Sequence, residues 1–323
     1  MPMTLGQLRA FALVAKLGSL RAAAGALGVS EPAVSAALAA LRADLNDPLF
    51  IRSGGGIALT PGGRALAGHA QEMVGLAEKI RWDVAHAQRS VDGLRVLATA
   101  AFAEHAAGRL LDVFTKRVPG SAVDVVVEAA ADVPALLTNH TYDIALGAKP
   151  AGVARPAMEA VPFLRYRRIL VAAPTHPLGD GRAVVPAVRL REHQWFAGPA
   201  GIEAATEEGR WLASLGRAPD VLALSSETDA LAVVRAGEGI MLALEHIVRA
   251  EVGSRALVRV AAVGTPVAGL WWASTLDHAR ASDAARTLQR FVTTAEATAA
   301  MVAPQGSRGL AHRGSKVHVA LWS

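Results

Sequence analysis

The stretch GSLRAAAGALGVSEPAVSAAL (18–38) decides how this chain begins. Ser19 follows a glycine and caps a helical run that ends at Leu27. Gly28 makes a turn, and Ser30 caps a second helix with Pro32 in its first turn, where the missing N–H does no harm. Two helices joined by a short glycine-containing turn form a helix-turn-helix pattern. On a 3.6-residue period Val34, Leu38, Leu41 and Leu45 share one face of the second helix. The opposite face holds Pro32, Ser35, Ala36, Ala39 and Ala43, with Glu31 at its leading edge and Arg42 near the boundary. A core helix and a groove-reading helix both fit this pattern. As a reader it brings methyl groups for thymine, a hydroxyl, and a carboxylate that accepts from cytosine N4.

The neighbours on both sides favour the reader. Residues 4–17 are helical by period, with Leu5, Leu8, Phe11, Ala12 and Ala15 on one stripe. PLFIRSGGGIALTP (48–61) places two short strand-like pieces around glycines, which predicts a hairpin or wing. Thr60 and Pro61 then open a long helix as cap and first residue. Its apolar residues Leu66, Ala70, Met73, Ala77, Ile80 and Val84 recur at spacings of 4 and 3, about three heptads. Such a seam packs onto its own domain or pairs with a second copy. After a small basic domain, dimerisation is the expectation.

Charge points to an anionic partner at the same end. The chain has 323 residues and a formal net charge of +5. Residues 1–64 hold Arg9, Lys16, Arg21, Arg42, Arg52 and Arg64 against Glu31, Asp44 and Asp47. The last 23 residues add Arg308, Arg313 and Lys316 and no acid, so the body between is about neutral. Phosphate attraction therefore falls to Arg21, Arg52, Arg64 and the backbone N–H groups of the capped helix starts. No cysteine is present, which excludes disulfides and thiolate chemistry and is compatible with a cytoplasmic protein. Arg9 and Lys16 interrupt any signal-peptide core, and no run has the length and purity of a membrane span.

From Leu94 the pattern changes. LRVLA, VDVVV, DIALG, RILVAA, VLALS, GIMLA, LVRV and AGLWWA read as strands. They alternate with helical stretches near 103–117, 132–140, 203–216, 228–237 and 280–300. Repeated β-α-β units predict a mostly parallel sheet covered by helices, in two sets joined around 161–168, with a ligand cleft between them.

QLRAF (7–11), GSLRAAAGALGVSEPAVSAAL (18–38), DPLFIRSGGGIALTPGG (47–63), DIALG (143–147) and RAGEGIMLA (235–243) together resemble the LysR-type transcriptional regulators. The resemblance runs from about residue 4 to about 300 and is strongest over 5–64. It implies an α + α/β chain: a winged helix-turn-helix over 1–63, a linker and dimerisation helix over 64–91, and a two-lobed α/β effector domain over 92–300. That last domain is of the type 2 periplasmic-binding-protein kind, with lobe I at about 92–162 and 266–300 and lobe II at about 163–265. Residues 301–323 are expected to be a mobile basic tail. The implied partners are double-stranded DNA with dyad-related half-sites, a small and anionic effector, and further copies of the chain in a homodimer or homotetramer. The expected DNA-binding residues are Ser19, Arg21, Ser30, Glu31, Pro32, Ser35, Ala36, Ala39, Arg52 and Arg64. Two departures bear on operator sequence: Glu31 stands where relatives carry glutamine, and Ala36, Ala37 and Ala39 stand where basic or amide residues are frequent.

In such relatives the first effector-domain strand leads to a hydroxyl that touches ligand, and Thr99 matches that position. A plain helix cap is the alternative for Thr99. Lys149 either pairs with an anion or is a solvated loop lysine. Gly201 and Ile202 lie where the second lobe faces the cleft. Ser225 and Ser226 end a strand there or cap the next helix.

Enzyme readings find no support. HExxH, GxSxG and GxxxxGK[ST] are absent, SGGG (53–56) lacks the phosphate-loop lysine, and GEG (237–239) is too short for a dinucleotide fingerprint. The histidines show no metal spacing, so no cofactor is expected. The competing reading is a small-molecule-binding or catalytic α/β protein whose helix-turn-helix no longer binds DNA.

Overall fold

The computed structural model describes residues 3–53, 56–87, 92–150, 158–180, 183–201, 203, 206–216 and 219–303. They form two compact units, one of the residues up to 87 together with 138–141, the other of the residues 92–137 and 142–303.

The first unit contains α1 (Leu5–Leu17), α2 (Leu20–Leu27), α3 (Glu31–Leu45), β1 (Phe50–Ser53), β2 (Gly56–Leu59) and α4 (Pro61–Ala87). Its first three helices begin with side-chain caps, each accepting a backbone N–H three residues on: Thr4 from Gln7, Ser19 from Ala22, Ser30 from Ala33. Gly28 sits at φ 66°, the left-handed conformation that ends α2 and frees the chain to turn by 107° into α3. Leu8, Phe11, Val14, Ala23, Val34, Leu38 and Leu41 form one core. Leu45 departs from the expectation of a fourth buried residue on α3. It is 40% exposed, because it lies in the last turn, beyond the core residues that cover Leu41. β1 and β2 pair antiparallel, Phe50 opposite Leu59 and Arg52 opposite Ile57. Asp47 ties the hairpin to the following helix: its Oδ1 accepts from Leu49 N at 2.7 Å and from Thr60 Oγ1 at 2.7 Å. Those two bonds hold its carboxyl below the ordinary carboxylate range, against a smaller effect of burial. Thr60 Oγ1 in turn accepts from Gly63 N at 2.8 Å and so starts α4.

The second unit contains β3 (Asp92–Ala98), α5 (Ala100–Phe102), a π-helical turn (Ala103–Ala107), α6 (Gly108–Arg117), β4 (Ser121–Val127), a 3-10 turn (Ala130–Asp132), α7 (Val133–Thr138) and β5 (Ile144–Gly147). It continues through β6 (Met158–Ala172), α8 (Ala187–Leu190), β7 (Trp195–Ala197), α9 (Glu207–Ser214), β8 (Val221–Ala223) and α10 (Glu227–Arg235). It closes with β9 (Ile240–Leu244), α11 (Glu245–Gly253), β10 (Val258–Val260), β11 (Val267–Leu276), α12 (Asp283–Val292) and α13 (Ala295–Val302).

The sheet runs β4-β3-β5-β11-β6-β9-β7-β8, with β10 also on β6. The expectation of a mostly parallel sheet needs correction. The pairs β3–β4, β3–β5, β7–β8 and β7–β9 are parallel, but β5–β11, β11–β6, β6–β9 and β6–β10 are antiparallel. The expected connection around 161–168 is itself strand, the middle of the 15-residue β6. β11 pairs along its whole length with residues 158–168 of β6, with one bulge at Trp271/Trp272. Each feeds two cores. Leu164, Tyr166 and Trp271 pack with Val96, Phe102 and Ile144, while Leu170, Ala172 and Val267 pack with Trp195, Leu212 and Ile240. The crossing from one core to the other therefore falls at about Arg168 on β6.

Two element boundaries also shift. The helix expected over 280–300 is two, broken where Thr294 caps α13 by accepting from Ala297 N. Residues 301–303, expected to belong to the tail, are packed instead: Met301 is fully buried, and Arg109 donates to the carbonyls of Met301 and Ala303. Residues 304–323 lie outside the described ones.

Candidate functional site

The α3 face opposite its core contacts is open to solvent. Ser30, Glu31, Pro32, Ser35, Ala36 and Ala39 are all exposed, and Val34, Leu38 and Leu41 are buried behind them. Ser19 is half-buried at the start of α2, and Arg21 is exposed one turn on. Arg64 is exposed in the first turn of α4, and its Nη1 donates to Leu59 O at 3.0 Å. Arg52 lies on β1, and its side chain is outside the described residues. The capped starts of α2 and α3 leave free backbone N–H groups, suited to phosphate oxygens.

The seam of α4 divides. Ala70 is fully buried and Leu66 packs against the same core, so these two hold α4 to its own domain. Ala77 is half-buried. Met73, Ile80 and Val84 are exposed, and Leu76 joins them.

Inside the second unit a cleft of about 250 Å³ opens where β6 and β11 pass between the two cores. Its walls include Thr99, Tyr166, Arg168, Trp271, Pro199 and Ala200. Thr99 stands at the helix-start position but makes no cap bond. Its Oγ1 accepts instead from Ala148 N at 3.2 Å. Gly147, at φ 129°, permits this approach, because a side chain there would run into the Thr99 hydroxyl.

Arg168 is almost completely buried, with two carboxylates and a carbonyl around its guanidinium. It donates to both oxygens of Glu227 (2.7 and 3.0 Å) and to Leu242 O (3.2 Å), and it pairs with Glu208. His105, on the π-helical turn, lies with Nε2 2.9 Å from Glu227 Oε2. A carboxylate only accepts, so Nε2 carries the proton. Burial would push the Glu227 carboxyl up, but the Arg168 charge and the bonds from His105 and Arg168 hold it down at about 2. Glu104, beside His105, accepts from Glu227 N (2.8 Å) and Thr228 N (2.7 Å), so the π-helical turn supplies the anion for the start of α10. The Tyr166 hydroxyl, pushed well up by burial, donates to Glu207 Oε2 at 2.8 Å.

Of the effector residues expected from sequence, only Thr99 reaches this cleft. Lys149 lines a separate open groove with Arg165 and Arg210, its ammonium 4.6 Å from the Trp272 ring centre. Gly201 lies at a small cavity behind Arg168, and Ile202 falls outside the described residues. Ser225 bonds Asp229 at 2.5 Å and Ser226 caps α10, so both serve that helix start and not the cleft. Among the described residues Glu128, Glu203, Glu207 and Glu208 line the cleft, and Arg168 is its one basic lining residue. Sequence reading missed Tyr166, Arg168, Glu207, Glu208 and Glu227. The one usable signal was an arginine opening an otherwise apolar strand, RILVAA (168–173).

No single helix among the described residues is long and apolar enough to cross a membrane. Residues 5–64 match the family model for the bacterial regulatory helix-turn-helix protein of the lysR family, and residues 87–297 match the LysR substrate binding domain. An uncharacterised HTH-type transcriptional regulator of Mycobacterium tuberculosis is 38% identical over 328 residues, covering 99% of this chain and 100% of the relative. The HTH-type transcriptional regulator CbbR of Xanthobacter flavus is 28% identical, covering 95% of this chain and 92% of the relative. Among solved structures, full-length CbnR complexed with its target DNA matches with a TM-score of 0.56 at 22% identity, over 92% of this chain and 100% of that one. This chain belongs to the LysR family of DNA-binding transcription regulators, with a helix-turn-helix domain followed by a substrate-binding domain.

Proposed function

We propose that the protein acts in the cytoplasm as a homodimer or homotetramer that binds a dyad-related operator. A small molecule in the 250 Å³ cleft then shifts its operator contacts. The observation that carries the reading is the solvent-exposed face of α3, set by two capped helices in a unit that also exposes Arg21 and Arg64. Ala36 and Ala39 offer methyl packing, Ser35 and Glu31 offer one polar contact each, and the arginines supply sequence-independent grip. With so few polar readers, DNA shape carries part of the specificity. The exposed half of the α4 seam supplies the contact between copies, which places two α3 helices on one duplex. A ligand alters operator affinity only by binding two arrangements of the oligomer unequally.

A mobility-shift titration with the DNA upstream of the protein's own gene tests this reading. The expected result is a specific complex that weakens steeply with salt. Equal affinity for that DNA and a scrambled duplex would instead favour a helix-turn-helix that no longer reads sequence, as its alanine-rich face allows.

A further inference from the structure

The cleft in the second unit has the wrong charge for an anion and the right walls for a cation. Glu128, Glu203, Glu207 and Glu208 line it, and the only basic lining residue among those described is Arg168. Arg168 offers an incoming carboxylate little, since Glu227, Glu208 and the Leu242 carbonyl already take most of its donors. Glu208 is the decisive residue. Its side chain is 8% exposed, one oxygen pairs with Arg168, and the other, Oε2, is buried with no hydrogen-bond partner. A buried carboxylate oxygen without a donor is costly and is relieved by any N–H brought to it. Glu203 bears the same strain in milder form: burial, and then the charge of Asp132, push its carboxyl above the ordinary range. The remaining walls are aromatic. Tyr166 and Trp271 stand with ring centres 5.2 Å apart, and the Tyr166 ring already has the Arg168 guanidinium 5.8 Å from its centre. Carboxylates beside electron-rich rings form a site for an organic cation.

On the reading of this cleft as the effector site, we infer that its ligand is a small organic cation, an amine, amidine or guanidine. Its charged end donates to Glu208 Oε2 and the neighbouring Glu203, and its apolar body lies on Trp271 and Tyr166. The exposed cations Lys149, Arg165 and Arg210 line a neighbouring groove that shares Glu207; Arg210 lies 3.3 Å from Glu207 Oε1 and offsets that one carboxylate, leaving Glu203 and Glu208 to carry the charge of the cleft.

Benzamidine, benzamide and benzoate share one shape and differ in charge, so they serve as probes on the full-length protein. Calorimetric titration is expected to show benzamidine binding at least tenfold more tightly than benzamide, with benzoate weaker still. Glu208→Gln is expected to weaken benzamidine at least fivefold. Glu203→Gln, at a half-exposed position that leaves the buried network intact, is expected to weaken it about threefold and keeps the test decisive if the first variant does not fold. Benzoate binding more tightly than benzamidine, no binding of any probe, or benzamidine binding unchanged in Glu203→Gln would each overturn the inference. The same preparation is titrated with operator DNA. Salt-sensitive, sequence-specific DNA binding without a benzamidine preference sinks the cation alone, whereas loss of operator binding in the unsubstituted protein sinks the regulator reading.

Discussion

Glu31 is exposed at the first position of α3, on the face that holds Ser35, Ala36 and Ala39. A carboxylate accepts only, so it selects bases that present a donor, and an amide does not share that restriction. Glu31→Gln is expected to change base preference at one operator position by about 1–3 kcal/mol, read by binding to a set of single-substituted operators. An unchanged preference would leave Glu31 as a helix-start charge. Arg52 makes a different claim. Replacing one phosphate-binding arginine lowers affinity for all sequences and reduces the salt slope by about 0.9. Arg52→Ala is expected to do both in a salt titration, and an unchanged slope removes it from the phosphate contacts.

At the level of elements, α4 shows how one periodic seam serves two ends. Ala70 is fully buried in its own domain, whereas Ile80 and Val84 are each 54% exposed. The same heptad spacing runs through both halves, so spacing alone did not separate them. Ile80→Asp is expected to leave the first unit folded, since no core residue is touched, and to abolish the proposed dimer in sedimentation at micromolar concentration. Retained assembly would place the contact between copies elsewhere. The π-helical turn within the helix from Ala100 to Arg117 is the converse case. It aims Glu104 and His105 at Glu227 and Thr228, more than 120 positions away in sequence. Nothing local in AEHAA marks it.

For the whole molecule, buried titratable groups make stability depend on pH. His246, in the first turn of α11, is held at about 4 by burial and then by the positive charges of His105, Arg109, Arg249 and Arg168, against an ordinary 6.5. Between those values the unfolded chain binds the extra proton and the folded chain does not. The stability is therefore complete above about pH 6.5 and is lost as pH falls toward 4. Denaturant unfolding is expected to show a slope below about 1.4 kcal/mol per pH unit across that window, since the ring is only half-buried. His246→Phe is expected to flatten it. Glu227 acts lower and in the same direction. Its carboxyl is held at about 2 against an ordinary 4.5, so its contribution is intact above 4.5 and is lost as pH falls to 2.

The helix-turn-helix, its open face, the hairpin and the capped start of α4 were legible in residues 4–61, because caps, turns and helical periods act within a few positions of themselves. Thr99 was legible only as a position after a strand, since the bond it makes is to Ala148, 49 residues on. The antiparallel pairing of β6 and β11, the waist it creates, and the gathering of Arg168, Glu207, Glu208 and Glu227 there depended on tertiary structure. Strand direction and the burial of a charge depend on partners far away in the chain, and no local pattern encodes which carboxylates will surround one guanidinium.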